Sequence, residues 1–262
     1  MRIVSWNMNY WQNTKGKMES VTEWKNKCIE YLKNEKDVDF FILQEINPFK
    51  LFEKLPNQYF FSMSDYNILY NELRSELLFD GRRDNFWGNA ILFNKNYEVV
   101  KNNMEIDLDL SHKNYYGRNG IMCYDFKSPN GQTISIANIY SKINYANKGR
   151  YTSLENFKED NDIQNVIKRN SDFILAGDFN SDKEKDPSSR KFFDFIEEIG
   201  FEEYTNGEEF KNTMVPEVRP YPNDKIYIKN MKNVKKISCK LLKDTNIKLS
   251  DHYPILCEIV EE

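Results

Sequence analysis

Histidine is nearly absent from this 262-residue chain, which has only His112 and His252. Cysteine is scarce too: Cys28, Cys123, Cys239 and Cys257 lie far apart, with no CxxC pair. Zinc sites and disulfide frameworks draw on closely spaced Cys and His, so neither signature is present, and the two thiols that sit in apolar strand-like runs read as small buried hydrophobes. No apolar run approaches the roughly 20 residues of a membrane-spanning helix. A surplus of one charge is also missing, since 37 Lys and Arg stand against 41 Asp and Glu, a net of −4. A protein that coats duplex nucleic acid by its overall field is basic, and that class is excluded.

What the chain does have is core material. Apolar residues make up 40% of it, with 18 Phe, 16 Tyr and 4 Trp. Residues 2–6 form a short buried strand pattern, and the chain enters it at once, without the form of a secretory signal. The expected compartment is therefore the cytoplasm, with no membrane association. Val21, Trp24, Cys28, Tyr31 and Leu32 recur at helical spacing, and the run VDFFILQ at 38–44 reads as a core strand. Residues 62–85 read as loops and a helix. Strand patterns follow at 87–93, 119–126 and 132–140, the last two joined by Ser-Pro-Asn-Gly, a hairpin signal. A helix is expected over 150–168, a strand at 172–176 and a helix at 188–199. Strands at 224–229, 234–242 and 253–260 complete the pattern. No repeat, linker or shift in composition marks a boundary, so residues 1–262 are expected to form one domain.

The chemistry sits at the strand ends. Asn7 follows IVSW, Glu45 follows FFILQ, and Tyr140 follows ISIANI. Asp178 and Asn180 follow FILAG, and Asp251-His252 precede YPILCEI. A lone carboxylate buried at a strand end is costly. Several converging on one cleft can share a divalent cation, and oxygen ligands of this kind suit Mg2+ or Mn2+. His252, beside Asp251, has the near-neutral titration that proton transfer or charge stabilisation requires.

These strings, in this order, resemble the endonuclease/exonuclease/phosphatase superfamily, which includes pancreatic-type DNases, exonuclease III, AP endonucleases, inositol-polyphosphate 5-phosphatases and neutral sphingomyelinases. The matching residues are Ser5-Trp6-Asn7, Leu43-Gln44-Glu45, Asn138-Ile139-Tyr140, Gly177-Asp178-Phe179-Asn180, Asp224-Lys225-Ile226-Tyr227 and Ser250-Asp251-His252. The resemblance implies an α/β (α+β) four-layer sandwich, with two mostly antiparallel sheets face to face and helices outside. It implies Glu45 as the main metal ligand, with Asn7 and Asp251 near the metal or its waters. Asp178 would orient or deprotonate the attacking water, and Asn180 would position it or the phosphate. His252, oriented by Asp224, would stabilise the transition state or move a proton. Tyr140 stands where exonuclease III-like nucleases carry tyrosine and DNase-like members carry histidine. The chain departs from the pattern at Asn9, often acidic in AP-endonuclease-like members, at Ser141-Lys142-Ile143-Asn144, where Pro-Asn is usual, and at Asn223, usually apolar.

Each residue also has a plainer reading. Asn7 serves as a strand terminator, Glu45 as a helix-start residue, Asp178 and Asn180 as turn formers, and Tyr140 as a half-buried strand tyrosine. His112, Arg82, Arg83 and Arg118 read as solvated loop residues, and residues 229–248, with seven lysines, as a strand with a charged face. The expected function is hydrolysis of phosphodiesters in nucleic acid by a monomer. The alternatives are a phosphatase acting on a small phosphorylated molecule or lipid headgroup, and a silent binding protein of the same fold.

Overall fold

A computed structural model describes residues 1–8, 21–46, 63–74, 86–103, 120–141, 143–144, 151–152, 154–214, 221–231, 233–243 and 249–261. Its first strands are β1 (Arg2–Asn7), β2 (Phe40–Ile46), β3 (Tyr66–Arg74), β4 (Phe86–Asn94), β5 (Glu98–Asn102), β6 (Ile121–Lys127) and β7 (Thr133–Tyr140). There follow β8 (Ile143–Asn144), β9 (Tyr151–Thr152), β10 (Asp172–Asp178), β11 (Glu202–Glu203), β12 (Asp224–Lys229), β13 (Val234–Leu241) and β14 (Ile255–Glu261). The helices are α1 (Val21–Asn34), α2 (Leu154–Glu159), α3 (Asn161–Ile167) and α4 (Pro187–Glu198).

Two six-stranded sheets form, in the orders β13-β14-β1-β2-β4-β3 and β11-β12-β10-β7-β6-β5, with β8 and β9 as a separate pair. Each large sheet has one parallel pair at its centre, β1 with β2 and β7 with β10, and is otherwise antiparallel. Helices span both parallel crossovers, α1 in the first and α2 and α3 in the second.

Side-chain alternation then sorts the layers. Ile3, Phe40, Ile42, Ile136, Ile174, Ala176, Ile226 and Ile228 face one another between the sheets. Val4, Trp6, Phe41 and Leu43 turn outward onto Cys28, Ile29 and Leu32 of α1. Ala137, Ile139, Phe173 and Leu175 turn outward onto α2, α3 and α4 through Phe157, Ile163, Phe192 and Ile196. The result is the helix–sheet–sheet–helix sandwich that the resemblance implies. Among the described residues no helix is long and apolar enough to cross a membrane.

Two expectations need correction. The helix expected over 150–168 is broken: Tyr151–Thr152 form β9, and Asp160 caps α3, its side chain accepting from the amides of Asp162 at 3.0 Å and Ile163 at 3.3 Å. A new N-cap inside a helical pattern starts a second helix. Within 62–85, where loops and a helix were expected, β3 pairs with β4 from Tyr66 to Arg74. Arg82, Arg83, His112, Arg118, Asn9 and Lys142 lie outside the described residues.

Candidate active site

The alternation that builds the inter-sheet core also builds its polar end. Asn7 shares the inward face of β1 with Ile3, Asp178 that of β10 with Ile174 and Ala176, and Asp224 that of β12 with Ile226. Tyr140 likewise follows Ile136 at two-residue spacing. Registry lines them up, with Asp178 opposite both Tyr140 and Asp224, and Asn7 opposite Gln44.

Glu45 breaks the alternation. It sits at φ +51°, where the β2–β4 register slips between Leu43 and Ile46. A bulge of this kind re-aims a side chain. Gln44 already points inward, donating to Asn138 Oδ1 across the sheets at 2.9 Å. The bulge turns Glu45 to the same side, where its Oε1 accepts from Asn7 Nδ2 at 3.2 Å. Ile46 then resumes the outward face beneath α1.

Hydrogen bonds make one continuous set of these groups. Asn7 Nδ2 also donates to Asp178 Oδ2 at 2.8 Å. Asn180, at φ +48°, folds back so that its backbone N reaches Asp178 Oδ1 at 2.8 Å and its Nδ2 reaches Oδ2 at 2.9 Å. Across the cleft His252 Nδ1 lies 2.8 Å from Asp224 Oδ2. The backbone of His252 is pinned too: its carbonyl accepts from Trp6 Nε1 at 3.0 Å, and its amide donates to Ser250 Oγ at 3.2 Å. Ser250 Oγ in turn donates to the carbonyl of Asn7 at 2.7 Å. Asp251 is half-buried, its Oδ1 3.9 Å from His252 Nε2.

Burial dominates the electrostatics. It pushes the Glu45 carboxyl up to about 7, against the opposing pull of the Tyr140 hydrogen bond, the His252 charge and the Asn7 hydrogen bond. Burial also raises Asp178, and the neighbouring Asp224 charge adds to it. For His252, burial favours the neutral ring, but Asp224, Asp178 and Asp251 together outweigh it and raise the imidazole to about 10. Asp224 Oδ1 is buried without a hydrogen-bond partner. Asp178, Asp224 and His252 each present one ligand atom, all within 4.8 Å of one another.

Two supports lie behind these groups, and one of them, Thr213, carries no signal in the sequence. Thr213, fully buried, donates from Oγ1 to Asp224 Oδ2 at 2.6 Å, the oxygen that His252 uses. Asn138 donates to the carbonyls of Leu43 and Ala90, both at 2.9 Å, tying the two sheets together beneath the polar set. Asn223 at the departure from the family pattern is buried, its Nδ2 3.5 Å from Asn180 Oδ1.

By sequence the chain matches no protein-family model and no curated protein. By shape it matches solved structures over its whole length. The endonuclease/exonuclease/phosphatase from Bacteroides vulgatus gives a TM-score of 0.67 at 14% identity, over 100% of this chain and 98% of that one. The human Nocturnin catalytic domain with bound sulfate anion gives 0.67 at 16% identity, over 100% and 94%. The endonuclease domain of TRAS1, a telomere-specific non-LTR retrotransposon, gives 0.57 at 14% identity, over 99% and 98%. The chain thus has the fold of the endonuclease/exonuclease/phosphatase structures.

Proposed function

We propose that this protein is a divalent-metal-dependent phosphoesterase that hydrolyses phosphodiester bonds, with nucleic acid as its substrate. One observation carries the reading: Asn7, Glu45, Asp178 and Asn180 form a single hydrogen-bonded set beside a buried Asp224–His252 pair. That Asp–His pairing is more than a structural theme, because two buried carboxylates beside it, Glu45 and Asp178, have His252 as their nearby cation. Buried acids whose charge is left so poorly balanced fit a site that takes a cation.

Glu45, with Asn7 and Asp251 beside it, is the side that would hold Mg2+ or Mn2+, since hard cations take oxygen donors. The tighter triplet of Asp178, Asp224 and His252 is a poorer cage. Its shortest contact is already the 2.8 Å hydrogen bond between His252 and Asp224, which an ion there would break. The ion, when bound, neutralises phosphate oxygens and acidifies water. The chain's own groups do the rest. Asp178, its carboxyl raised toward neutrality, orients the attacking water and takes its proton, and Asn180 holds water or phosphate in place. His252, kept as an imidazolium by Asp224, donates from Nε2 to phosphoryl oxygen as negative charge builds, and Tyr140 is a second donor.

The endonuclease named among the fold's neighbours supports a nucleic-acid substrate. The near-neutral net charge keeps a small phosphorylated molecule as the second reading. Product analysis with Mg2+ on single-stranded DNA, duplex DNA, abasic DNA, RNA and small phosphomonoesters separates the two. Cleavage of a polynucleotide, weakening as salt rises, is expected. Release of inorganic phosphate from monoesters, with every polynucleotide left intact, contradicts the nuclease reading.

A further inference from the structure

Outside the cleft, the four cysteines divide into two solitary thiols and one pair. Cys28 is buried on the inner face of α1, and Cys123 is buried beneath the helices of the other face. Cys239 and Cys257 instead stand directly opposite each other on the antiparallel strands β13 and β14. Both point into the inter-sheet core, where Cys257 is fully buried and Cys239 packs against it half-exposed. Their thiols are hydrogen-bonded to each other. All four are free thiols.

Position makes the pair approachable. Among the described residues β13 is an outermost strand of its sheet, so Cys239 lies on an edge strand. Directly opposed residues of an antiparallel pair have Cα atoms about 4.5–5.5 Å apart, inside the span a disulfide bridges.

We propose that Cys239 and Cys257 are an oxidation site, a dithiol that hydrogen peroxide converts to a disulfide within the chain. The half-exposed Cys239 sulfur attacks the peroxide, the O–O bond breaks, and Cys239 becomes a sulfenic acid as one water leaves. The Cys257 sulfur then attacks the Cys239 sulfur, the S–O bond breaks, and a second water leaves. The pair loses two electrons and two protons, and the peroxide is reduced to two waters. The hydrogen bond to Cys257, and burial after it, hold the Cys239 thiol protonated well above the ordinary thiol range. The thiolate is the attacking form, so the reaction is slow at neutral pH and accelerates as pH rises. The loop that the bond closes contains Ser250, Asp251 and His252.

The test uses the whole native protein. It is exposed to hydrogen peroxide at pH 7 and at pH 9, alkylated in denaturant, digested and mapped by mass spectrometry. The expected result is a fall from four alkylatable thiols to two, with one linked peptide pair joining Cys239 to Cys257 and lighter by two hydrogens. Formation is faster at pH 9, and dithiothreitol restores four thiols. Cys239→Ser and Cys257→Ser each yield no intramolecular link. Oxidation of Cys239 to sulfinic acid while Cys257 stays alkylatable, or four thiols surviving until the fold is denatured, overturns the proposal.

Discussion

His252 commits its two ring nitrogens differently, Nδ1 to Asp224 and Nε2 to the side facing Asp251. Asp224, Asp178 and Asp251 raise its titration to about 10, which favours the imidazolium, and the proposed mechanism uses it as a donor. His252→Gln should lower kcat by at least about a hundredfold, the low end for loss of an acid–base or electrostatic group. Steady-state kinetics with circular dichroism as the folding check measures this, and near-normal turnover in a folded variant contradicts the role. His252 was legible in the sequence because histidine is so rare and because Asp251 precedes it. Thr213 was not. Its hydrogen bond to Asp224 joins a residue after the turn of 3₁₀ helix at 208–211 to the start of β12, and no local pattern marks such a partner. Gln44 and Asn138 were visible as parts of motifs, but their meeting across the sheets depends on sandwich packing and cannot be read along either strand.

Among the elements, β10 shows how tightly a strand is fixed beside the cleft. Gly177 has φ +144°, and a Cβ there would lie 2.0 Å from the carbonyl oxygen of Ile139 on the parallel neighbour β7. Gly177→Ala must therefore push β10 from β7 just where Asp178 and Tyr140 stand opposite each other. The expected loss is roughly 1–3 kcal/mol of stability, the usual cost of overpacking, together with a fall in kcat. Denaturant melts and kinetics check both, and unchanged values contradict the account of this strand. The core strands were readable from apolar runs, because a strand covered on both faces needs apolar residues throughout. Within the two large sheets, no pattern marked β3, β5 or β11, each the last strand at a sheet edge. An edge strand need not be apolar; Val100 of β5 is exposed, with Glu98 and Lys101 around it. The bulge at Glu45 was equally hidden, since nothing in Leu-Gln-Glu-Ile announces a positive φ.

For the whole molecule, the site follows from topology. Asn7, Glu45, Tyr140 and Asp178 lie at the C-terminal ends of the strands that form the two central parallel pairs, where open α/β sheets place their ligands. Asp224 begins β12, antiparallel to β10, and His252 precedes β14, antiparallel to β1, so both arrive at the same end. Gathering these acids costs stability when no cation balances them. Glu45 titrates at about 7 in the fold against 4.5 ordinarily. Its contribution to stability is full below about pH 4.5 and is lost as pH rises through 7. The melting temperature of metal-free protein should thus fall by several degrees between pH 5.5 and pH 8, and Mg2+ at pH 8 should restore much of it by binding the folded state. A flat profile unaffected by Mg2+ contradicts this balance. The central claim, hydrolysis at a metal-dependent site built on Glu45, is tested most directly by metal titration of phosphodiester cleavage with wild type and Glu45→Gln. The account predicts cleavage that requires Mg2+ or Mn2+, stops in excess EDTA, and in the folded variant is severely reduced at any metal concentration. Full wild-type cleavage in excess EDTA, or an undiminished Glu45→Gln enzyme, would contradict it.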